Sequence, residues 1–328
     1  MGRRIGLYVS WSRPLEAAAT LGVLEHRFPA LFELRRFAWP HFEQTRERDQ
    51  GIAGFLEHVV LSGFERCRAV MQEASGADVV LFERTDAAGR ACALDDALLD
   101  RLDTLVVVGL DNLPTRQLPS VAETVAVRRF LAREGSCLVA SPHHTIGAAD
   151  GPDHLDAHDQ ARLAVEQAHH GDPLIGGGRQ QLGGFVRALL AGVGLPIDNR
   201  FGLKPATAPG GAPHPIERAD GDERGLLEGV TAFNVHPHLP HFEVPDGVRS
   251  QVRVLARQLI SPSAPRHPFS EAGHTHFNAL LWAPPAGDRR GDVVVGDATL
   301  WSSHFGGVEG LQRLWRNVAT MEKGPPAR

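Results

Sequence analysis

The sequence predicts an α/β fold built on a doubly wound, mostly parallel sheet. In its first half, short apolar runs alternate with segments of helical periodicity, which is the pattern of a parallel sheet covered on both faces. A length of 328 residues, 42% hydrophobic and 22% charged, is typical of a globular domain. We therefore expect a single domain over residues 1–328, and this composition excludes a disordered or disulfide-stapled chain.

The strands predicted in the first half are Ile5–Val9, the extended segment Leu31–Trp39, Asp78–Phe82, Thr104–Leu110 and Cys137–Ala140. Between them apolar residues recur at helical spacing, which predicts helices over Leu15–His26, Gly51–Ala74, Leu94–Leu102 and Val121–Arg133. Gly135 follows the last of these helices, at a position where glycine favours helix termination.

The second half of the chain is organised differently. Periodicity fails between His143 and Gly178, where Gly, Asp and His dominate, and we predict an inserted loop or lid over residues 143–178. A helix follows over Arg179–Val193, and another closes the chain over Val308–Met321. Between these helices we expect a strand-rich elaboration over residues 205–290. The strands predicted there and just after it are Val230–Val235, Val252–Ile260, Phe277–Trp282 and Asp292–Val295.

Charge and cysteine usage exclude several kinds of partner. With 34 basic and 39 acidic residues the formal charge is −5, so we expect no nucleic-acid surface. Three widely spaced cysteines favour reduced thiols in the cytoplasm, and no apolar run suits a signal peptide or a membrane span. Gly176–Gly178 lacks the lysine of a phosphate-binding loop, so we expect no nucleotide cofactor. The expected partner is a small-molecule substrate, with a homodimer as one assembly to consider.

Two groups of segments carry a family resemblance: Val106–Asp111 with Gly135–Ser141, and Val293–Trp301 with Phe305–Gly307 and Trp315–Asn317. The first group resembles the class I glutamine amidotransferase-like superfamily. The second is similar to the close of bacterial amidotransferase-like proteins and of proteins of the trehalose-utilisation type. The resemblance implies a fold more directly than it implies a function.

This chain departs from the family at the nucleophile. Catalytic members carry Gly-x-Cys-x-Gly at a strained turn between a strand and a helix. Here the corresponding stretch is Val139-Ala140-Ser141-Pro142-His143, without flanking glycines and with a proline after the serine. We therefore expect no such turn, an inert Cys137 inside the strand and no glutaminase chemistry.

The loops after three predicted strands carry polar side chains, and such loops converge on one crevice in a doubly wound sheet. The catalytic candidates there are His143 as base, Asp111 to orient it and Ser141 to stabilise negative charge. The substrate-binding candidates are Ser10, Trp11, Asn112, His144 and Arg36. A solvated loop histidine remains the alternative interpretation of His143, and a salt bridge that of Arg36.

Histidine is abundant, with 17 residues of which 14 lie between His143 and His304. Two His-x-His steps, at residues 236–238 and 274–276, place pairs of imidazoles on one face of an extended chain. Such pairs suit one divalent zinc, iron or manganese ion. The predicted ligands are His236, His238, His274 and His276, completed by Asp297, His241, His267 or His304. The alternative is that these are histidines of surface loops.

These observations favour an enzyme that uses histidine-centred acid–base or metal-assisted chemistry. The expected reaction is hydrolysis at a C–N or related bond of a small polar substrate, with Asp111 or Asp297 orienting the working histidine. Two alternatives stay open. One is a non-catalytic ligand-binding module, and the other is an isomerase or lyase without metal.

Overall fold

The computed structural model describes residues 2–18, 56–111, 115, 117–144, 183–264 and 268–324. Within these residues, eight strands form one mixed sheet in the order β2-β1-β3-β4-β8-β7-β6-β5. The pairs within β2-β1-β3-β4-β8 are parallel, and the pairs within β8-β7-β6-β5 are antiparallel. The α/β class predicted from the sequence is confirmed, with a sheet that is parallel in its larger part.

The strands are β1 (Ile5–Ser12), β2 (Val79–Thr85), β3 (Thr104–Gly109), β4 (Cys137–Pro142), β5 (Glu217–Arg218), β6 (Arg253–Leu259), β7 (His276–Ala283) and β8 (Asp292–Gly296). The α-helices are α1 (Arg13–Ala17), α2 (Glu65–Ser75), α3 (Asp96–Leu99), α4 (Val121–Leu131), α5 (Gly184–Gly192), α6 (Pro268–Glu271) and α7 (Val308–Thr320). None of the described helices combines the length and the apolar character needed to cross a membrane.

The parallel strands β1, β3, β4 and β8 are buried on both faces, which explains their nearly continuous apolar sequences. Alternate residues of β1 enter different cores: Leu7 packs with α2 and α7, whereas Tyr8 packs with α4 and α5. The same alternation occurs in β3, where Val106 belongs to the first core and Val107 to the second. Each strand therefore joins two helical layers, and only its ends can carry polar chemistry.

Several predicted elements differ from the observed ones. Val230–Val235 is not a strand, although Val230 and Phe233 are buried. The backbone of this segment bonds to loops, with Val235 N–H donating to the Phe305 carbonyl at 2.9 Å, and it lies against Gly307 of the turn that begins α7. Its apolar pattern thus reflects packing against a helix start and not a strand ladder.

Other predicted elements lie partly or wholly outside the described residues. Within the predicted helix over Gly51–Ala74, the described residues begin with a π turn and a 3₁₀ turn at Leu56–Phe64, and α2 follows. Of the predicted helix Leu15–His26, only residues 15–18 are described, and they form the end of α1 and its cap. The predicted segment Leu31–Trp39 lies outside the described residues. The same is true of the predicted lid over 143–178, apart from its first two residues.

A close contact of three backbone segments positions the carboxyl ends of β3 and β4. Gly183 has φ of +73°, and a Cβ there would lie 2.8 Å from the Cα of Pro142. A Cβ on Gly109 would lie 2.8 Å from the Cα of Gly183. Because neither glycine has a side chain, the start of α5 packs directly on both strand ends, and Gly183 N–H donates to the Asp111 carbonyl at 2.9 Å.

A buried ion pair fixes the opposite end of β8. Arg224 Nη2 lies 2.7 Å from Asp292 Oδ2, with the two side chains 3% and 0% exposed, and Trp282 Nε1 donates to Asp292 Oδ1 at 2.9 Å. Removing one partner of such a pair leaves a charge buried without compensation.

We expect Asp292→Asn to lower the free energy of unfolding by about 3 to 5 kcal/mol, since the asparagine still accepts from Trp282 but leaves the Arg224 charge buried. Denaturant unfolding measures this loss. The double variant Asp292→Asn with Arg224→Met serves as the control and should regain most of the stability. A double variant no more stable than the single one would show that the charge is not responsible.

Candidate functional site

The described strands β1, β3, β4 and β8 run parallel, so their carboxyl ends share one edge of the sheet. We call it the carboxyl edge. Ser10 and Asp111 lie where β1 and β3 end, and His143 and Asp297 directly follow β4 and β8. Four segments far apart in sequence therefore bring polar groups to one place.

The central contact at the carboxyl edge joins His143 to Asp297. His143 Nδ1 lies 2.8 Å from Asp297 Oδ2, and the two side chains are 8% and 4% exposed. The other oxygen of Asp297 accepts from Thr299 N–H at 2.9 Å and from the Thr299 hydroxyl. An ionised carboxylate only accepts hydrogen bonds, so in a neutral His143 ring paired with it the proton would be on Nδ1 and Nε2 would hold the lone pair.

Three more imidazoles surround His143, and we call the four together the histidine cluster: His143, His144, His236 and His238. The ring centroids of His143 lie 4.1 Å from His144 and 4.9 Å from His236. His238 lies 5.9 Å from both His144 and His236. One His-x-His step is thus brought to the histidines that follow β4.

Asparagine side chains hold the cluster in place. Asn234 Nδ2 donates to Thr299 Oγ1 at 2.9 Å, and Asn234 Oδ1 accepts from His236 N–H at 3.3 Å. Asn199 Nδ2 donates to the His143 carbonyl. The sequence alone did not indicate these supporting residues. Thr299 follows Asp297 at the spacing typical of a side chain that caps a short helical turn, and this signal could have identified it.

A second polar centre lies at the ends of β1 and β3. Ser10 Oγ donates to Asp111 Oδ1 at 2.7 Å, and Phe185 N–H donates to Asp111 Oδ2 at 3.1 Å. Asp111 and Asp297 were the two carboxylates predicted to orient the working histidine. The one that contacts His143 Nδ1 is Asp297. Asp111 instead joins the end of β3 to the first turn of α5.

The remaining crevice candidates lie deeper than the cluster or outside the described chain. Ser141 is buried, and its Oγ accepts from Trp301 Nε1 at 2.7 Å. Trp11 is buried as well, and its Nε1 donates to Glu83 Oε2 at 2.8 Å. Asn112 and Arg36 lie outside the described residues.

The other predicted His-x-His step has its own surroundings. The ring of His274 stacks on Phe269 at 4.4 Å, and His276 Nε2 lies 3.6 Å from Glu217 Oε2 of β5. Within the part of the chain that is described, no three His, Cys, Asp or Glu side chains are arranged to hold a metal ion. The structure therefore places His236 and His238 with His143, and His274 and His276 beside β5 and α6.

Cys137 is the first residue of β4, belongs to the same core as Leu7 and Val106, and is fully buried. Burial raises the pKa of its thiol to about 12. Because the thiolate is the nucleophilic form, this cysteine is an inert core residue in the described structure.

Comparison with protein-family models and with curated proteins found no match. One solved structure that resembles the chain is described as the mmIFT52 N-terminal domain. It has 10% sequence identity and a TM-score of 0.43, over 77% of this chain and 87% of that one. A similarity at this level carries no argument about fold or function.

His241 lies beside the cluster in sequence but in a separate aromatic environment. Its ring centroid is 4.7 Å from that of Phe269, and its Nδ1 accepts from Asn278 N–H at 3.1 Å. Burial, with smaller contributions from His274, Arg200 and Arg257, lowers the pKa of His241 from 6.5 to about 4. The folded protein thus holds this ring neutral.

We expect His241 to make the protein less stable as the pH falls from about 6.5 to 4. In that pH range His241 binds a proton in the unfolded chain but not in the folded protein. This difference lowers the free energy of unfolding by about 2 to 3 kcal/mol. Denaturant unfolding at several pH values measures this loss, and His241→Asn, which retains an acceptor for Asn278, should reduce it. His214→Asn is the control. Equal pH dependence in wild type and His241→Asn would contradict the expectation.

Proposed function

We propose that this protein is an enzyme in which His143, oriented by Asp297, acts as a general base on a small polar substrate at the carboxyl edge. The reaction that these groups support best is hydrolysis at a C–N or related bond. The observation that carries the proposal is the buried 2.8 Å contact between His143 Nδ1 and Asp297, which leaves Nε2 as the basic nitrogen.

We further propose that the fold is a doubly wound sheet of the amidotransferase-like kind that has lost its cysteine nucleophile. The parallel order β2-β1-β3-β4-β8 supports this assignment, since it follows the 2-1-3-4-5 order of one doubly wound class. The position of the histidine cluster at the carboxyl ends of the strands supports it as well, because such sheets bind ligands there. The free thiols fit a protein of the cytoplasm.

In the proposed mechanism, His143 Nε2 takes a proton from water as the water oxygen attacks the substrate. The positive charge that develops on the ring lies against the Asp297 carboxylate, which also keeps the ring in the required tautomer. Thr299 donates two hydrogen bonds to Asp297 and thereby fixes the carboxylate before the reaction begins. The imidazolium then returns the proton to the leaving nitrogen.

A metal-assisted version of the reaction is the second candidate, and the distance between imidazole rings in the histidine cluster is the observation that bears on it. Imidazoles that share one zinc ion at Zn–N distances of about 2 Å have ring centroids about 5 Å apart. The 4.9 Å between the rings of His143 and His236 is close to this value, whereas the 5.9 Å between His236 and His238 is wider, and no group of three metal-ligating side chains is present among the described residues. In that version Asp297 would orient His143 as a ligand. The hydrogen bond that His236 Nδ1 accepts from His238 N–H opposes it, because the proton then lies on Nε2.

We expect His143→Gln to lower turnover by about 10²- to 10⁴-fold, because the base is lost. The assay screens carboxamides, lactams, ureides and N-glycosides by proton NMR and measures rates on those hydrolysed. Asp297→Asn should reduce the rate in the same range by disturbing the tautomer. His214→Gln, outside the cluster, should not. Unchanged turnover in His143→Gln would refute the assignment, and specific binding without turnover would favour a ligand-binding module.

Metal analysis separates the two candidates. For the acid–base version we expect substoichiometric zinc, iron and manganese in protein purified without chelator. One equivalent of metal, lost in the double variant His236→Ala with His238→Ala, would establish the metal-assisted version instead. The double variant His274→Ala with His276→Ala is the matched control, since it removes a His-x-His step beside β5 and leaves the cluster intact.

A further inference from the structure

We propose that Asn234 is a positioning residue that acts through Thr299 on the carboxylate of Asp297. In this arrangement one backbone N–H group sets the direction of a chain of hydrogen bonds that ends at His143. The inference rests on the proposed function only in that Asp297 orients His143. It applies to the acid–base version and to the metal-assisted version alike, since Asp297 has the same task in both.

The first step concerns the orientation of the Asn234 amide. The residue is fully buried, and its Oδ1 lies 3.3 Å from the backbone nitrogen of His236. Because a backbone N–H only donates, the amide atom that faces it is the oxygen. The amide nitrogen then points the other way, and it lies 2.9 Å from Thr299 Oγ1. The backbone of His236 therefore fixes which end of the amide meets Thr299.

The second step concerns the direction of the Thr299 hydroxyl. A hydroxyl group rotates, and it can both donate and accept hydrogen bonds. Here it lies between the amide nitrogen of Asn234, which only donates, and Oδ1 of the Asp297 carboxylate, which only accepts. The hydroxyl proton must therefore point at Asp297. The amide of Asn234 thus turns a rotatable group into a donor of fixed direction.

The third step concerns the Asp297 carboxylate, which receives both donors of Thr299 on one oxygen. Its Oδ1 accepts from the Thr299 N–H at 2.9 Å and from the Thr299 hydroxyl, so Oδ2 is the oxygen that contacts His143 Nδ1 at 2.8 Å. The Asp297 side chain is only 4% exposed, so these contacts determine its orientation. Loss of the hydroxyl bond would leave Oδ1 with a single donor and would allow the carboxylate to rotate away from His143.

The segment that carries Asn234 is itself anchored on two sides. Gln258 of β6 donates from Nε2 to the Asn234 carbonyl at 3.3 Å, and the N–H of the next residue, Val235, donates to the Phe305 carbonyl at 2.9 Å. A buried amide costs free energy unless it is hydrogen-bonded. The asparagine in the mostly apolar segment Val230–Val235 is therefore explained by the hydrogen bonds that it directs at the carboxyl edge.

The direction of the hydrogen bonds is tested without any substrate. Neutron diffraction from crystals of the full chain, exchanged into D₂O, locates the deuterium atoms of the Asn234 amide and of the Thr299 hydroxyl. We expect the amide deuterium atoms on the side of Thr299, and the hydroxyl deuterium on the line from Thr299 Oγ1 to Asp297 Oδ1. A hydroxyl deuterium that points in any other direction would overturn the inference, even if His143 proves to be the base.

The role of Asn234 in turnover is tested on any substrate from the screen. Asn234→Asp retains an acceptor for the His236 N–H but removes the donor to Thr299, and its new oxygen competes with Asp297 for the hydroxyl proton. We expect kcat to fall by about 10- to 100-fold, with a smaller change in KM. Asn317→Asp is the matched control, since it makes the same change in a side chain that donates to two backbone carbonyls on α7's outer side, and it should keep the wild-type kcat.

A double-variant cycle distinguishes a positioning role from a general loss of structure. Thr299→Val removes the hydroxyl and keeps the size of the side chain. If Asn234 acts through that hydroxyl, adding Asn234→Asp to Thr299→Val should not lower kcat further, whereas independent effects would multiply. Multiplied effects, or a wild-type kcat in Asn234→Asp, would refute the role of Asn234 and leave that of His143 standing. Failure of His143→Gln to affect turnover would refute the proposed function itself.

Discussion

The parallel pairing of β4 with β8 is the constraint on which the candidate site depends. The ladder aligns Cys137 with Asp292 and Ala140 with Val295, so both strands end at the same level of the sheet. His143 and Asp297 come directly after these ends, and they meet although 154 residues separate them in sequence. His236 and His238 lie in the segment between the antiparallel strands β5 and β6, and this segment returns to the same edge of the sheet. A change of register in this one pair would separate the imidazole from its carboxylate, since each residue step reverses the face of a side chain.

The parallel part of the fold was readable from the sequence because its strands are buried on both faces. Thr104–Gly109 is buried along its whole length and contains four consecutive apolar residues, and a run of this kind with helices before and after it has few other interpretations. Val230–Val235 has a similar apolar character and is not a strand. Its burial comes from contact with the turn that begins α7, which lies about 75 residues further along the chain, and periodicity within a segment does not distinguish a helix neighbour from a strand neighbour.

The candidate site was only partly predictable for a related reason. The rule that ligands gather at the carboxyl ends of parallel strands found His143, Asp111 and Ser10. It could not decide which carboxylate contacts His143, because that depends on the rotation of side chains just beyond the ladder. Nor could it distinguish the two His-x-His steps, which are alike in sequence. The difference lies in position, since His276 begins β7 and faces Glu217, whereas His236 lies in an irregular segment held by Asn234.

The order of the strands along the chain also governs when the site can form during synthesis. Strands β1, β3 and β4 are neighbours in the sheet and emerge from the ribosome early, whereas β8 emerges about 150 residues after β4. Until then β4 has an unpaired edge, which invites pairing with other chains. A nascent chain halted before Asp292 would therefore contain His143 but neither its carboxylate partner nor the strand that covers β4. Such fragments should lack the candidate site and be prone to aggregation, which gives the cell a physical basis for distinguishing them from the finished protein.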